Sequence, residues 1–212
     1  MVKIKKYINI ILTSLFILIS CQLNAQNKEI IGCYRYWDYN QNPEVFDPVN
    51  IPYDKLTIIN YSFFYPLESG EIVGIDPVAD SYLLKGENFE SGKTSGKSVI
   101  ELAKQHGTKV LLSIGGWETS YNFPQVSANP SKRATFAHWC VKHIKQYGFD
   151  GIDIDWEFPG YKQHKGTDKD RENFTILLQA VRDSLEFTRR KIKQTLFAYC
   201  FFAGSCQYIS KI

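Results

Sequence analysis

The sequence predicts an α/β fold of parallel strand–helix units, a TIM-type (β/α)8 barrel. Three observations carry this reading. Apolar strand-like runs alternate with amphipathic helical runs along the 212 residues, as parallel β/α units require. Several of those strand runs are almost continuously apolar, the mark of strands buried on both faces. Their C-terminal ends carry polar, glycine and aromatic residues, the face where barrels gather function. A doubly wound sheet, the alternative, calls for a glycine-rich phosphate loop after an early strand, and none is visible.

Taken in order, the chain starts with a basic segment, Lys3, Lys5 and Lys6, followed by a short apolar run from Ile8 to Ile19. This is the pattern of an export signal over residues 1–21, too short for a membrane span. Leu18-Ile19-Ser20-Cys21 reads as a lipoprotein processing site with Cys21 lipidated, while Leu23-Asn24-Ala25 allows an ordinary cut and free secretion. Either way the protein is exported, with contact to a membrane only through a lipid anchor. Without the three leader lysines the 25 basic residues fall to 22, matching the 22 acids. Such a balanced chain offers no electrostatic reason to bind nucleic acid.

Residues 22–212 read as part of one domain, without repeats, low-complexity segments or a linker. Ile30 to Tyr36 is a first strand and Leu56 to Tyr65 a second, nearly continuous apolar one. Pro66 to Gly92 reads as a long loop with room for one short helix. A helix starts near Thr94 or Ser95, runs through Ser98 to His106 and closes at Gly107. Lys109 to Ile114 forms a third strand leading into Gly115-Gly116-Trp117. Asn129-Pro130 caps a helix that stops at Gly148. After a fourth, acidic strand comes a helix from about Asp168 to Arg190, with Phe174, Leu177, Leu178, Val181 and Leu185 at helical spacing. Thr195 to Phe202 is a fifth strand.

Cys33, Cys140, Cys200 and Cys206 match no zinc spacing. Export permits disulfides, and Cys200 and Cys206 are near enough in sequence for a local pair. Cys140 lies among apolar residues, as a small buried thiol does. His106, His138, His143 and His164 are scattered and form no pair with an acid, so no metal or other cofactor is expected.

The chemistry is concentrated in Asp150-Gly-Ile-Asp-Ile-Asp-Trp-Glu157. Successive side chains of a strand point to opposite faces. Asp153, Asp155 and Glu157 therefore share one face, and Ile152, Ile154 and Trp156 the other. Three carboxylates in file, alternate Cα atoms about 7 Å apart, repel one another. They disfavour a further negative charge, so a proton is shared among them. Glycosidic bonds need an acid beside the leaving oxygen. Glu157, at the strand end beside Trp156 and Phe158, suits that task; Asp155 can hold a substrate group, and Asp153 can orient Asp155. Asp150 has the wrong parity and takes a structural place at the loop–strand junction.

Asp150-x-x-Asp153-x-Asp155-x-Glu157 is similar to the active-site signature of glycoside hydrolase family 18, the chitinases and related endo-β-N-acetylglucosaminidases. Ser113-Ile114-Gly115-Gly116 resembles that family's second signature on the preceding barrel strand. The resemblance covers roughly Ile30 to Arg190. It implies a retaining, substrate-assisted hydrolysis of β-1,4 linkages between N-acetylglucosamine units, with chitin or another GlcNAc-containing glycan as partner. Glu157 would protonate the glycosidic oxygen, Asp155 would hold the substrate acetamido group, and Asp153 would share a proton with Asp155. By the same analogy Tyr34, Phe63 and Trp117 line the cleft beside Gly115 and Gly116, and Ser113 shapes the barrel mouth.

The family's later Met-x-Tyr-Asp-like motif and its barrel-floor tryptophan are absent, and a full barrel takes about 250 residues. The expectation is therefore an incomplete barrel, about four β/α units and a fifth strand, whose activity as a truncated chain is impaired. Two other functions stay open. One is an endo-β-N-acetylglucosaminidase acting on N-glycans, against which Trp156 and Phe158-Pro159-Gly160 look more chitinase-like. The other is a non-catalytic chitin-binding lectin, against which Glu157 is retained.

Overall fold

The structure is a computed structural model that describes residues 29–87, 97–192, 195–202 and 205–208. Cys21, the expected helix start near Thr94 or Ser95, and the side chains of Cys200 and Cys206 lie outside the described residues.

Strand β1, Ile31–Arg35, stops one residue short of Tyr36, which instead opens helix α1, Tyr36–Gln41. Asn42 then caps a one-turn helix α2, Pro43–Phe46, its side chain accepting from the Val45 N–H while Pro43 fits the first turn. Strand β2, Ile58–Pro66, runs parallel to β1 with Ile58 opposite Ile31. The excursion after it holds more than a loop and a helix. Strand β3, Ile72–Gly74, folds back antiparallel onto Phe64–Pro66. Helix α3, Pro77–Lys85, follows, with the Asp76 carboxylate accepting from the Val78 and Ala79 N–H groups.

Helix α4, Val99–His106, is capped by Ser98. Ser98 and Glu101 form a reciprocal capping box, which satisfies amide groups left without partners at the first turn. Strand β4, Lys109–Gly115, passes through a 3-10 turn at Trp117–Asn122 into helix α5, Phe123–Ala128. Helix α6, Pro130–Tyr147, is capped by Asn129 and closed by left-handed Gly148. Strand β5, Gly151–Asp155, helix α7, Asp170–Ile192, strand β6, Phe197–Phe202, and an antiparallel strand β7, Ser205–Tyr208, complete the described order.

The sheet order is β1-β2-β4-β5-β6-β7, with β3 attached to β2. Strands β1, β2, β4, β5 and β6 are parallel and adjacent in sequence order. A doubly wound sheet reverses its strand order at a switch point; this sheet advances in one direction, as a (β/α) barrel does. The chain forms part of such a barrel.

Paired positions across the sheet define its two faces. The outer face packs Ile59, Tyr61, Val110, Leu112, Ile114, Ile152 and Ile154 against the helices. From α7, Phe174, Leu177, Val181 and Leu185 join that core. Full burial of each aliphatic side chain contributes about 1.5–3 kcal/mol, so α7 is clamped along the sheet beside the acidic strand. The inner face starts with an apolar floor of Ile58 and Leu111, with Ile31 and Phe197 against them. Above the floor the register stacks polar residues. Arg35 is level with Ser62, Ser113 with Asp153, and Gly115 with Asp155.

Candidate active site

The acids of β5 occupy successive inner layers. Asp153 is the deeper, only 3% exposed, and the Ser113 hydroxyl donates to its Oδ2 at 2.7 Å. Burial pushes the Asp153 carboxyl up to about 6, and the Ser113 hydrogen bond pulls the other way. Asp155 stands one layer nearer the mouth and is half-buried. Burial, then the Asp153 and Glu157 charges and a side-chain hydrogen bond with Glu157, push it up to about 7. The Asp153–Asp155 pair therefore takes up and releases a proton near neutral pH.

Strand β5 ends at Asp155, so Glu157 sits in the turn beyond it and not in the strand. Its backbone is tied on both sides. The Glu157 N–H donates to Ser120 Oγ at 2.9 Å, and its carbonyl lies 2.7 Å from His164 Nδ1. Ser120 in turn donates to the Gly116 carbonyl at 2.8 Å. On the outer side Trp156 is buried, stacked on Phe123 at 5.3 Å and meeting Phe174 edge-on. The alternation of acids and apolar residues thus divides between a mouth and a core.

Gly115 and Gly116 make the turn between β4 and this mouth possible. Both have positive φ, +126° and +84°. A Cβ on Gly115 would strike the Asp155 carbonyl, and one on Gly116 would stand 2.7 Å from the Phe63 ring. The Gly116 N–H donates to the Asp155 carbonyl at 2.8 Å, so the turn is stitched to the end of β5. Asp150 sits at the opposite end of β5. Its carboxylate accepts from the Val110 N–H at 2.9 Å, and its main chain bonds to both Val110 and Phe197, joining β4, β5 and β6.

A model of the family described as glycosyl hydrolases family 18 matches residues 29–206. The chain belongs to that family. "Chitinase 1" of Aphanocladium album is 37% identical over 147 residues, 66% of this chain and 33% of that protein. "Endochitinase 1" of Metarhizium robertsii is 34% identical over 157 residues, covering 70% of this chain and 35% of its own. Among solved structures, catalytic domain 2 of the Group II chitinase of Ostrinia furnacalis, a mutant in complex with penta-N-acetylchitooctaose, superposes with a TM-score of 0.64. It is 30% identical over 80% of this chain and 42% of that one. This chain thus spans about a third of the length of these curated relatives.

Within this family-18 frame the aromatic residues separate. Trp117 is 44% exposed at the mouth, in contact with Phe158, Tyr161 and His164. Phe63 is half-buried against Gly116 and stacks on Trp37 at 5.9 Å. A bulge places it there. Tyr61 pairs with Leu112 and Phe64 with Ile114, so Ser62 and Phe63 together face one residue of β4. Tyr34 corrects the cleft reading. It has the parity opposite to Cys33 and Arg35, packs on Tyr61 in the outer core, and donates its hydroxyl to the Phe46 carbonyl. Tyr34 therefore does not line the inner face.

Four mouth residues escaped the sequence reading: Ser120, Tyr121, Tyr161 and His164. Their contacts run through main-chain groups and through ring faces from a different loop, which residue spacing does not record. Among the described residues no group of three or more His, Cys, Asp or Glu side chains is placed to hold a metal ion.

Proposed function

We propose that this chain carries the acid and acetamido-holding groups of an exported chitinase-type glycosidase. The reaction is hydrolysis of β-1,4 linkages between N-acetylglucosamine units with retention of configuration. The observation that carries the reading is the Asp153–Asp155–Glu157 file at the barrel mouth, with the Ser113 hydroxyl bonded to Asp153 and burial raising both aspartates.

Glu157 gives its proton to the glycosidic oxygen as the bond from that oxygen to the anomeric carbon breaks. The substrate's own 2-acetamido oxygen forms the new bond to that carbon, leaving an oxazolinium ion. Asp155 accepts a hydrogen bond from the acetamido N–H, and its charge offsets the developing cation. Asp153 takes the shared proton when Asp155 must be ionised, and Ser113 holds Asp153 in place. Water then attacks from the same face, its proton returning to Glu157, and the ring reopens. Retention follows because the anomeric carbon is inverted twice.

Exposed Trp117 provides an apolar ring for a sugar face. The chitooligosaccharide in the Ostrinia furnacalis relative supports a GlcNAc polymer as substrate. Residues 1–21 hold the export signal, with the mature chain beginning at a lipidated Cys21 or at a free end after Ala25, and 22–212 hold the catalytic part. No helix among the described residues is long and apolar enough to cross a membrane.

The test is to follow products from N-acetylated and fully deacetylated chitooligosaccharides by NMR, with a high-mannose glycoprotein in parallel. Cleavage of the acetylated chain alone, with the β-anomer appearing first, is expected. Equal turnover of the deacetylated chain would overturn substrate assistance. Release of N-glycan without cleavage of chitooligosaccharide would replace chitin by N-glycan as substrate.

A further inference from the structure

We propose that His164 is a positioning residue that locks the Glu157 backbone and the exposed aromatic wall of the mouth into one unit. The inference rests on the assignment of Glu157 as the acid. His164 lies seven residues after Glu157, in a short 3-10 turn at Lys162–His164, and is only 2% exposed. Such burial is unusual for a histidine in a loop at a barrel mouth.

Its surroundings explain the burial. The imidazole ring lies 4.5 Å from the Trp117 ring and 4.2 Å from the Tyr121 ring, with Tyr161 edge-on at 5.1 Å. Trp117 and Tyr121 belong to the turn after β4, whereas His164 belongs to the loop after β5. One ring therefore bridges two mouth loops. Its Nδ1 is 2.7 Å from the Glu157 carbonyl. A carbonyl only accepts, so Nδ1 carries the hydrogen and the neutral ring is the Nδ1–H tautomer.

Ser120, from the same turn as Trp117 and Tyr121, accepts from the Glu157 N–H. Both peptide groups of the acid are thus bonded to side chains, and both side chains contact or belong to the turn that presents the aromatic wall. The loop itself is held from below. The buried Asp170 carboxylate accepts from the Gly160 and Thr167 N–H groups at 2.9 Å each and from the Thr167 hydroxyl. His164 consequently sets two things at once. Its N–H fixes the direction in which Glu157 leaves the strand end. Its ring fixes the height of Trp117 and Tyr121 against the sugar chain.

These two roles separate by substitution. His164→Asn keeps an N–H donor for the carbonyl and removes the ring. His164→Phe keeps a ring and removes the donor. Displacement of a catalytic group by about 1 Å can cost up to about 100-fold in rate, so loss of one tether is expected to cost about 10-fold. For N-acetylated chitooligosaccharide turnover by the whole protein, His164→Phe should lower kcat about 10-fold with KM within about 2-fold of wild type. His164→Asn should raise KM about 5-fold with kcat within about 2-fold. Equal losses in both constants for both variants, no change in either, or the opposite split overturns the inference.

A 15N spectrum of the unaltered protein labelled at histidine gives a readout independent of turnover and of variant folding. An Nδ1–H tautomer for His164 is expected, and an Nε2–H tautomer overturns the inference. Glu157→Gln runs in parallel. If turnover survives that change, the assignment of the acid fails, while the tautomer still decides the bond to the Glu157 carbonyl. If turnover is lost in Glu157→Gln yet both His164 variants keep wild-type constants, only the His164 inference fails.

Discussion

Ser113→Ala should shift the acid limb of the pH–rate profile upward while leaving the alkaline limb in place. The Ser113 hydroxyl donates to Asp153 at 2.7 Å in a site where Asp153 is 3% exposed. Burial already holds Asp153 at about 6, against the pull of this bond. A hydrogen bond to a charged acceptor contributes about 1.5–3 kcal/mol. At about 1.4 kcal/mol per pH unit, its loss raises the Asp153 midpoint by about 1–2 units. Asp153 and Asp155 titrate as a pair, so the change appears in the pair's first ionisation. The proposed reaction needs one ionised carboxyl in that pair, so the acid limb of kcat/KM follows.

The same bond predicts a stability effect whose sign is fixed. A carboxyl whose folded pKa lies above its unfolded value has no penalty in acid and loses stability as pH rises through the folded value. Ser113→Ala enlarges that loss. The variant should match wild type at about pH 4 and be less stable by about 1.5–3 kcal/mol at about pH 8. Chitooligosaccharide hydrolysis across roughly pH 4 to 9 and urea unfolding at the two ends give both readings. An acid limb that stays within about 0.3 units of wild type would refute the coupling of Ser113 to catalysis through Asp153.

Two other substitutions test the frame around the site. Gly116 has φ +84° and ψ 167°, a region open in practice only to glycine, and a Cβ there meets the Phe63 ring. Gly116→Ala should cost about 1–3 kcal/mol in urea unfolding, and an unchanged midpoint would contradict the close packing of that turn. Asp80, on the buried side of α3, accepts from the Tyr61 hydroxyl at 2.6 Å and is pushed up to about 7 by burial. The fold therefore loses stability as pH rises from the ordinary carboxylate value through about 7, by roughly 4 kcal/mol at most. Asp80→Asn keeps an oxygen for Tyr61 and cannot ionise, so it should be the more stable protein at pH 8 and equal to wild type at pH 4. Parallel pH profiles for the two proteins would show that Asp80 ionises in the fold as readily as in the unfolded chain, contradicting its upward shift.

Much of the molecule was legible because its signals are local. Asn129-Pro130 and Gly148 mark both ends of α6 through caps that need no tertiary partner. The long apolar periodicity of α7 and the buried strands declared the parallel architecture for the same reason. The Ser98-x-x-Glu101 capping box is equally local. Other features depend on what the chain meets after folding. Tyr34 lies in a strand of mixed residues, IGCYR, whose pattern does not reveal which face will be buried. Its outward turn is decided by Tyr61 and by the Phe46 carbonyl of α2. The position of Phe63 depends on a bulge in a continuously apolar strand, where one extra residue leaves no mark in the pattern. Strand β3 is three residues long and exists through its pairing with Phe64–Pro66.

The acidic strand shows both sides. Its alternation correctly separated Asp153 and Asp155 from Ile152 and Ile154, since strand parity is a backbone property. Glu157 lies past the strand end, where parity lapses and side chains from two loops set its position. His164 was unreadable for that reason: its partner is a main-chain carbonyl, which every residue possesses.

Glu157→Gln offers the most direct measurement. The amide preserves shape and cannot deliver the proton to the glycosidic oxygen. Hydrolysis of N-acetylated chitooligosaccharide by the folded variant should fall by at least about 100-fold, the lower end of what a positioned acid–base group contributes, with oligosaccharide binding retained. A variant that unfolds at the wild-type urea midpoint and still hydrolyses at the wild-type rate would contradict the assignment of Glu157 as the acid.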